Sequence, residues 1–177
     1  MPRTLDRPQV SSAGAAIDLT IAACAVGFVI VLAVAAYWDA SIRVVHTFEA
    51  LPYLAAAVLC NRRKKIGYAL GVTAGLLWLG LAGRGSTFIA NGFQVLRVVL
   101  RTHQVIRPDI LIAVPGAVAT AGLVLFSLVG YARRRDKRWS DAGLFGATAL
   151  LVTAFFFAIF AAFSPQFLVP LKHMFIP

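Results

Sequence analysis

The sequence predicts an all-α fold: a polytopic integral membrane helical bundle of five, alternatively four, transmembrane helices plus one amphipathic interfacial helix. Three observations predict it. The 177-residue chain is 60% hydrophobic, with a mean hydropathy of +0.82, above the roughly half-apolar make-up of a soluble domain. Its apolar residues are gathered in runs near the ~20 residues that a bilayer-crossing helix needs. Its net charge of +10 is concentrated in two short blocks, "NRRKK" at 61–65 and "RRRDKR" at 133–138, which hold nine of the seventeen basic residues.

The first run, 15–38, "AAIDLTIAACAVGFVIVLAVAAYW", closes on Tyr37 and Trp38, an aromatic pair of the kind that sits at a membrane surface. "AVA" at 33–35 resembles a leader cleavage site, but the apolar core is long for a leader, so a retained span is expected. Asp18 lies near its start and reads as an N-terminal helix charge, favoured by the macrodipole. The second run, 44–60, "VVHTFEALPYLAAAVLC", is just long enough to cross with little tilt. The third, 66–83, and the fourth and fifth, 110–132 and 141–163, complete the set. Pro52 and Pro115 leave the carbonyls of Phe48 and Leu111 without their helical donors, so kinks are expected at both. The apolar runs leave no length for a separate soluble domain, and 1–177 reads as a single transmembrane domain.

The short loops and the charge blocks set the threading. Both blocks fall on one side of the membrane whether 44–60 crosses or not, and the positive-inside rule makes that side cytoplasmic. With five spans the N-terminus, carrying Arg3 and Arg7, is also inside. With four it is outside, and 39–60 becomes a cytoplasmic interfacial or re-entrant hairpin. The charge rule favours five. Two short blocks abutting apolar runs also read as topology markers rather than as a nucleic-acid footprint, so no nucleic-acid partner is expected. Arginine far outnumbers lysine, and Ala, Val and Gly are abundant, a composition in keeping with a GC-rich bacterial genome and a place in the inner (plasma) membrane.

Between the third and fourth runs, residues 87–106 place Asn91, Gln94, Arg97, Arg101 and Gln104 three and four apart among Phe and aliphatic residues. That is an amphipathic helix with a narrow polar stripe, too polar to cross lipid and suited to the outer interface. Pro108 marks its expected end. Within the third run, Gly67, Gly71 and Gly75 fall on one helix face, and Ala113, Ala117 and Ala121 repeat the step in the fourth. Small residues let backbones approach closely in lipid, so these two faces are expected to meet.

Few residues could carry chemistry. His46, His103 and His173 all fall on the outer side in the five-span arrangement. His46 and Glu49 are three apart on one helix face, which permits a hydrogen bond. An acid inside an apolar run needs a partner or a purpose, and the partners within reach are His46, Arg97 and Arg101. His46, Glu49 and His103 are therefore the candidate cofactor-binding residues, for a metal, a haem or a quinone. The ordinary alternative is a polar couple at an interface with solvated histidines. Arg97, Arg101 and Arg107, with Arg84, form an outer basic set able to contact lipid phosphate or another anion. Cys24 and Cys60 lie in or beside apolar segments without ligand spacing and read as small hydrophobes.

No catalytic motif or phosphate-binding loop is present, no pattern names a cofactor, and no inverted repeat marks a transporter. The expectation is a small non-catalytic subunit or scaffold that partners the lipid bilayer and other membrane protein subunits. Two further readings stand beside it: a redox or metal-, haem- or quinone-binding subunit, and a lipid- or anion-handling transporter.

Overall fold

A computed structural model describes residues 12–165 and residue 168 of the chain. Among them are helices α1 (Ser12–Trp38), α2 (Arg43–Asn61), α3 (Lys65–Gly83), α4 (Phe88–Thr102), α5 (Pro108–Leu111), α6 (Ala113–Ala132) and α7 (Ser140–Phe163), with a 3-10 turn at Ala40–Ile42 between the first two. Five helical stretches are long and apolar enough to cross a membrane: Gly14–Trp38, Ala40–Asn61, Lys65–Gly83, Pro108–Ala132 and Ser140–Phe163. The second run forms α2, one continuous helix and not the hairpin of the four-span alternative. With 15 residues, α4 reaches only ~22 Å at 1.5 Å per residue, short of a ~30 Å hydrocarbon layer.

The third helix is the centre of the bundle. It packs against α2, α6 and α7, while α1 packs against α2 and α6, and α4 rests on α5 and α6. Half of its most apolar window is buried, against about a third or less for the other four. Glycine explains the position. A methyl group on Gly67 would lie 2.5 Å from the Cys60 backbone nitrogen, and one on Gly75 would lie 2.6 Å from Val124 Cγ2. One on Gly71 would collide with the Ser127 hydroxyl. The three glycines thus serve two neighbours: Gly67 meets the end of α2, while Gly71 and Gly75 meet α6. On α6 the opposing face is Thr120, Leu123, Val124 and Ser127. The stripe Ala113–Ala117–Ala121 does not supply it, since Ala113 meets Gly92 of α4 and Ala121 is exposed.

An aromatic cluster joins the first three helices: Phe28 lies 4.5 Å from Tyr53 and 4.9 Å from Trp78, ring centre to ring centre. The Tyr53 hydroxyl donates to the Ala74 carbonyl (3.1 Å), which gives this buried ring its polar partner. Outside, the bundle is apolar: Leu150 is 75% exposed, Leu19 70% and Val118 65%. Pro52 is accommodated inside α2. The helix breaks at Ile112, three residues before Pro115, and the 108–132 stretch divides there into α5 and α6.

The basic end is a network of acids and donors. Asp18, buried more than a turn inside α1, accepts from the Tyr68 hydroxyl (2.7 Å) and lies 3.5 Å from Arg63 Nε. This replaces the expected macrodipole role, because the first turn of α1 carries no acid. Asp141 accepts from Lys65 Nζ (2.8 Å), the Tyr131 hydroxyl (2.9 Å) and the Arg138 backbone N–H (3.0 Å). Lys65 also donates to the Asp136 carbonyl, and Arg134 reaches the Arg63 carbonyl (3.1 Å). The two basic turns are thereby joined to each other and to four long helices. Arg134 also forks onto the Asp136 carboxylate at 2.9 and 3.1 Å, which draws that carboxyl down to about 2.

Candidate functional site

At the opposite end the structure assembles a cavity. Its foundations are local. Asp39 accepts from the backbone N–H and hydroxyl of Ser41 (2.9 and 2.7 Å) and so caps the 3-10 turn. Those two bonds hold its carboxyl below the ordinary aspartate range. Arg43 Nε then donates back to the Ala36 carbonyl (3.1 Å), satisfying an acceptor in the last turn of α1. The first turns of α2 follow directly. His46 and Glu49, three apart, face the same way, and His46 Nδ1 lies 2.6 Å from Glu49 Oε2. The carboxylate side chain is 5% exposed and the imidazole 18%. This single bond occupies Nδ1 of the ring and leaves Nε2 for another partner. Glu49 Oε1 makes no hydrogen bond among the described residues.

Both side chains line a cavity of about 430 Å³. Its buried wall is Leu32, Val45, Glu49, Trp78, Ala82, Ile112 and Phe160, drawn from α1, α2, α3, α7 and the α5–α6 break. Asp39 and Ser86, from the connections between helices, and Asp109, from the first turn of α5, are exposed lining residues, and Trp38 and Phe88 complete the aromatic share. The ionisable lining groups are Asp39, His46, Glu49 and Asp109, with neither lysine nor arginine among them. Arg107 forks onto Asp109 at 2.9 and 3.1 Å, which neutralises that acid locally and leaves Asp39 and Glu49. Below, the Phe28–Tyr53–Trp78 cluster fills the space between α1, α2 and α3.

The structure gathers the sequence candidates unevenly. His46 and Glu49 meet in the cavity. His103 does not line it. It is exposed and takes the left-handed conformation (φ 55°) that ends α4, with its N–H bonded to the Val99 carbonyl (2.8 Å). The helix therefore stops before the Pro108 boundary expected from sequence. Glu49 is partnered by His46 and by neither Arg97 nor Arg101, both of which are exposed on α4. Arg107 is committed to Asp109. His173 lies outside the described residues. Among the described residues no group of three or more His, Cys, Asp or Glu is arranged to hold a metal ion.

Sequence reasoning missed Asp39, Asp109, Trp78 and Phe160 as cavity residues. Asp39 carried a local signal, an acid two residues before Ser41 at the end of an apolar run, which is a capping pattern. The other three come from distant segments and had none. No family model, curated protein or solved structure matches the chain.

Proposed function

We propose that this chain is a small multi-pass membrane protein that binds one end of an amphipathic small molecule in the His46–Glu49 cavity. The basic turns face the cytoplasm, which follows from the nine positive charges they carry. The cavity then faces the outer side of a bacterial inner membrane, with α4 lying in the outer interface beside it. One observation carries the reading: Glu49, on the wall of a largely apolar cavity, is almost completely buried and keeps one carboxylate oxygen without a hydrogen bond among the described residues. A buried acid in an apolar helix is expensive and is retained for a partner or a function. His46 meets half of its hydrogen-bonding capacity, and a ligand would meet the rest. The size of the cavity, its aromatic and aliphatic walls and its few converging polar groups are those of a small-molecule site.

The reading concerns binding and requires no bond-making step. Haem or metal held between His46 and His103 has less support, because the two side chains are not brought to one cavity. An anionic cargo has less support too, since the lining carries carboxylates and no cation. The scaffold reading keeps one observation in its favour. The window of α7 is the least buried of the five, and its flank exposes Leu150, Leu151 and Phe157, a surface that fits another subunit's helix or lipid.

Native mass spectrometry of the protein released from membranes without harsh delipidation tests the binding reading. The expected result is a small molecule that co-purifies with the wild type and is absent from Ala82→Phe, which fills the cavity. Identical spectra for the two proteins, both empty, together with discrete co-purifying subunits, would replace the binding reading with the scaffold.

A further inference from the structure

Resting on the ligand-binding reading, we infer that the occupant of the cavity is a lipophilic organic cation: a positively charged head on an apolar body. The first argument is charge. Asp39 and Glu49 are the lining acids without a lysine or arginine partner, Glu49 having only the His46 imidazole, and no lysine or arginine lines the space. Of the nearby cations, Arg107 is paired with Asp109, and Arg43, whose Nε donates to the Ala36 carbonyl, does not line the space. An anion would meet two carboxylates at short range, and a neutral head, though able to donate a hydrogen bond, would leave their charge uncompensated.

The second argument is the order of the groups. Asp39 is exposed and Glu49 is 4% exposed, so one acid stands at the surface and one within. A cation drawn to the first gains by moving to the second, where apolar walls exclude water and strengthen the attraction. The third argument is aromatic. Trp38, Trp78 and Phe88 line the same space, and ring faces attract cations, tryptophan most strongly. The aliphatic wall, Val31, Leu32, Val45 and Leu81 among it, takes the apolar body.

Equilibrium titration of the full chain in zwitterionic nanodiscs, against empty discs, tests this with three probes. Tetraphenylphosphonium and tetraphenylborate match in size and differ in sign, and N-phenyl-1-naphthylamine is neutral. Saturable binding of the phosphonium is expected, weakened at least tenfold by Glu49→Gln and about threefold by Asp39→Asn. The borate should not saturate, and the neutral probe should bind both variants as it binds the wild type. Should Glu49→Gln not fold, Asp39→Asn carries the comparison, and an unchanged phosphonium affinity in it counts against the inference. Borate binding as tight as phosphonium, or phosphonium binding indifferent to the tested carboxylate substitution, overturns the cation and leaves a ligand cavity. Failure of all three probes to saturate overturns the cavity reading as well.

Discussion

Replacing Gly67 by alanine asks whether α3 owes its central place to missing side chains. The added methyl would stand 2.5 Å from the Cys60 nitrogen and 2.7 Å from the Leu59 carbonyl carbon. Carbon contacts are comfortable near ~3.5–4.0 Å, so α2 and α3 must part locally by about 1 Å. The obstructing atoms are backbone and have no rotamer to turn into. Overpacking of this kind costs about 1–3 kcal/mol, with this geometry at the upper end. Alanine returns ~1 kcal/mol of helix propensity, so the net loss is about 2 kcal/mol, or ~4–8 °C in Tm for a chain of this length. Gly80→Ala is the control, because nothing stands within 4 Å of its added methyl, and it should hold or gain stability. Cys60 is fully buried and lies at the strained contact, so its reaction with a thiol-specific fluorophore on heating in detergent, in a Cys24→Ser background, reads the outcome. Equal melting points for Gly67→Ala and Gly80→Ala would refute the close-packing argument.

Three further outcomes follow from the geometry. The Arg134 fork sets the Asp136 carboxyl at about 2, below its ordinary 3.8. A folded value below the unfolded one stabilises fully above pH 3.8 and is lost as pH falls towards 2; Asp136→Asn should flatten the melting profile across that window, by a small amount that shrinks near ~1 M salt. His103→Gly should raise stability by about 1 kcal/mol, since glycine adopts the left-handed cap without strain, and should leave binding in the cavity unchanged; loss of binding would give that histidine the ligand role the structure does not assign it. In a protein lacking Cys24 and Cys60, a cysteine placed at Lys137 should react with impermeant reagent only after the cells are opened, and one at Ser86 while they are intact. Reversed labelling would invert the proposed orientation.

The long helices were legible because the bilayer imposes a length, and an apolar run of that length has few other uses. The stripe of Asn91, Gln94, Arg97 and Arg101 likewise marked α4, but not its end. A left-handed histidine carries no signal that a glycine would have carried. Glu49 and His46 were legible as a couple because three residues on a helix fix their proximity whatever surrounds them. The cavity around them was not, since Trp78, Asp109 and Phe160 reach it only through the packing of separate helices. The same limit explains Asp18 and Asp141. Asp18 looked like a charge at the end of a span and Asp141 drew no reading, and each is settled by a tyrosine from another helix, Tyr68 or Tyr131. The alanine stripe had the right spacing and the wrong face, because α6 presents Thr120 and Ser127 to the glycines. Spacing alone cannot choose between adjacent faces of a helix made mostly of small residues.

Lashing both short turns together at the basic end makes the molecule a sheaf tied near its base. Tilting of one rod against the next must pivot about that knot, and leverage grows with distance from it. Over the ~30 Å of a 20-residue helix, a swing of about 3° carries the far tip ~1.5 Å. The chamber beside Glu49 sits at that far tip, so its girth changes with such a swing while the knot stays closed.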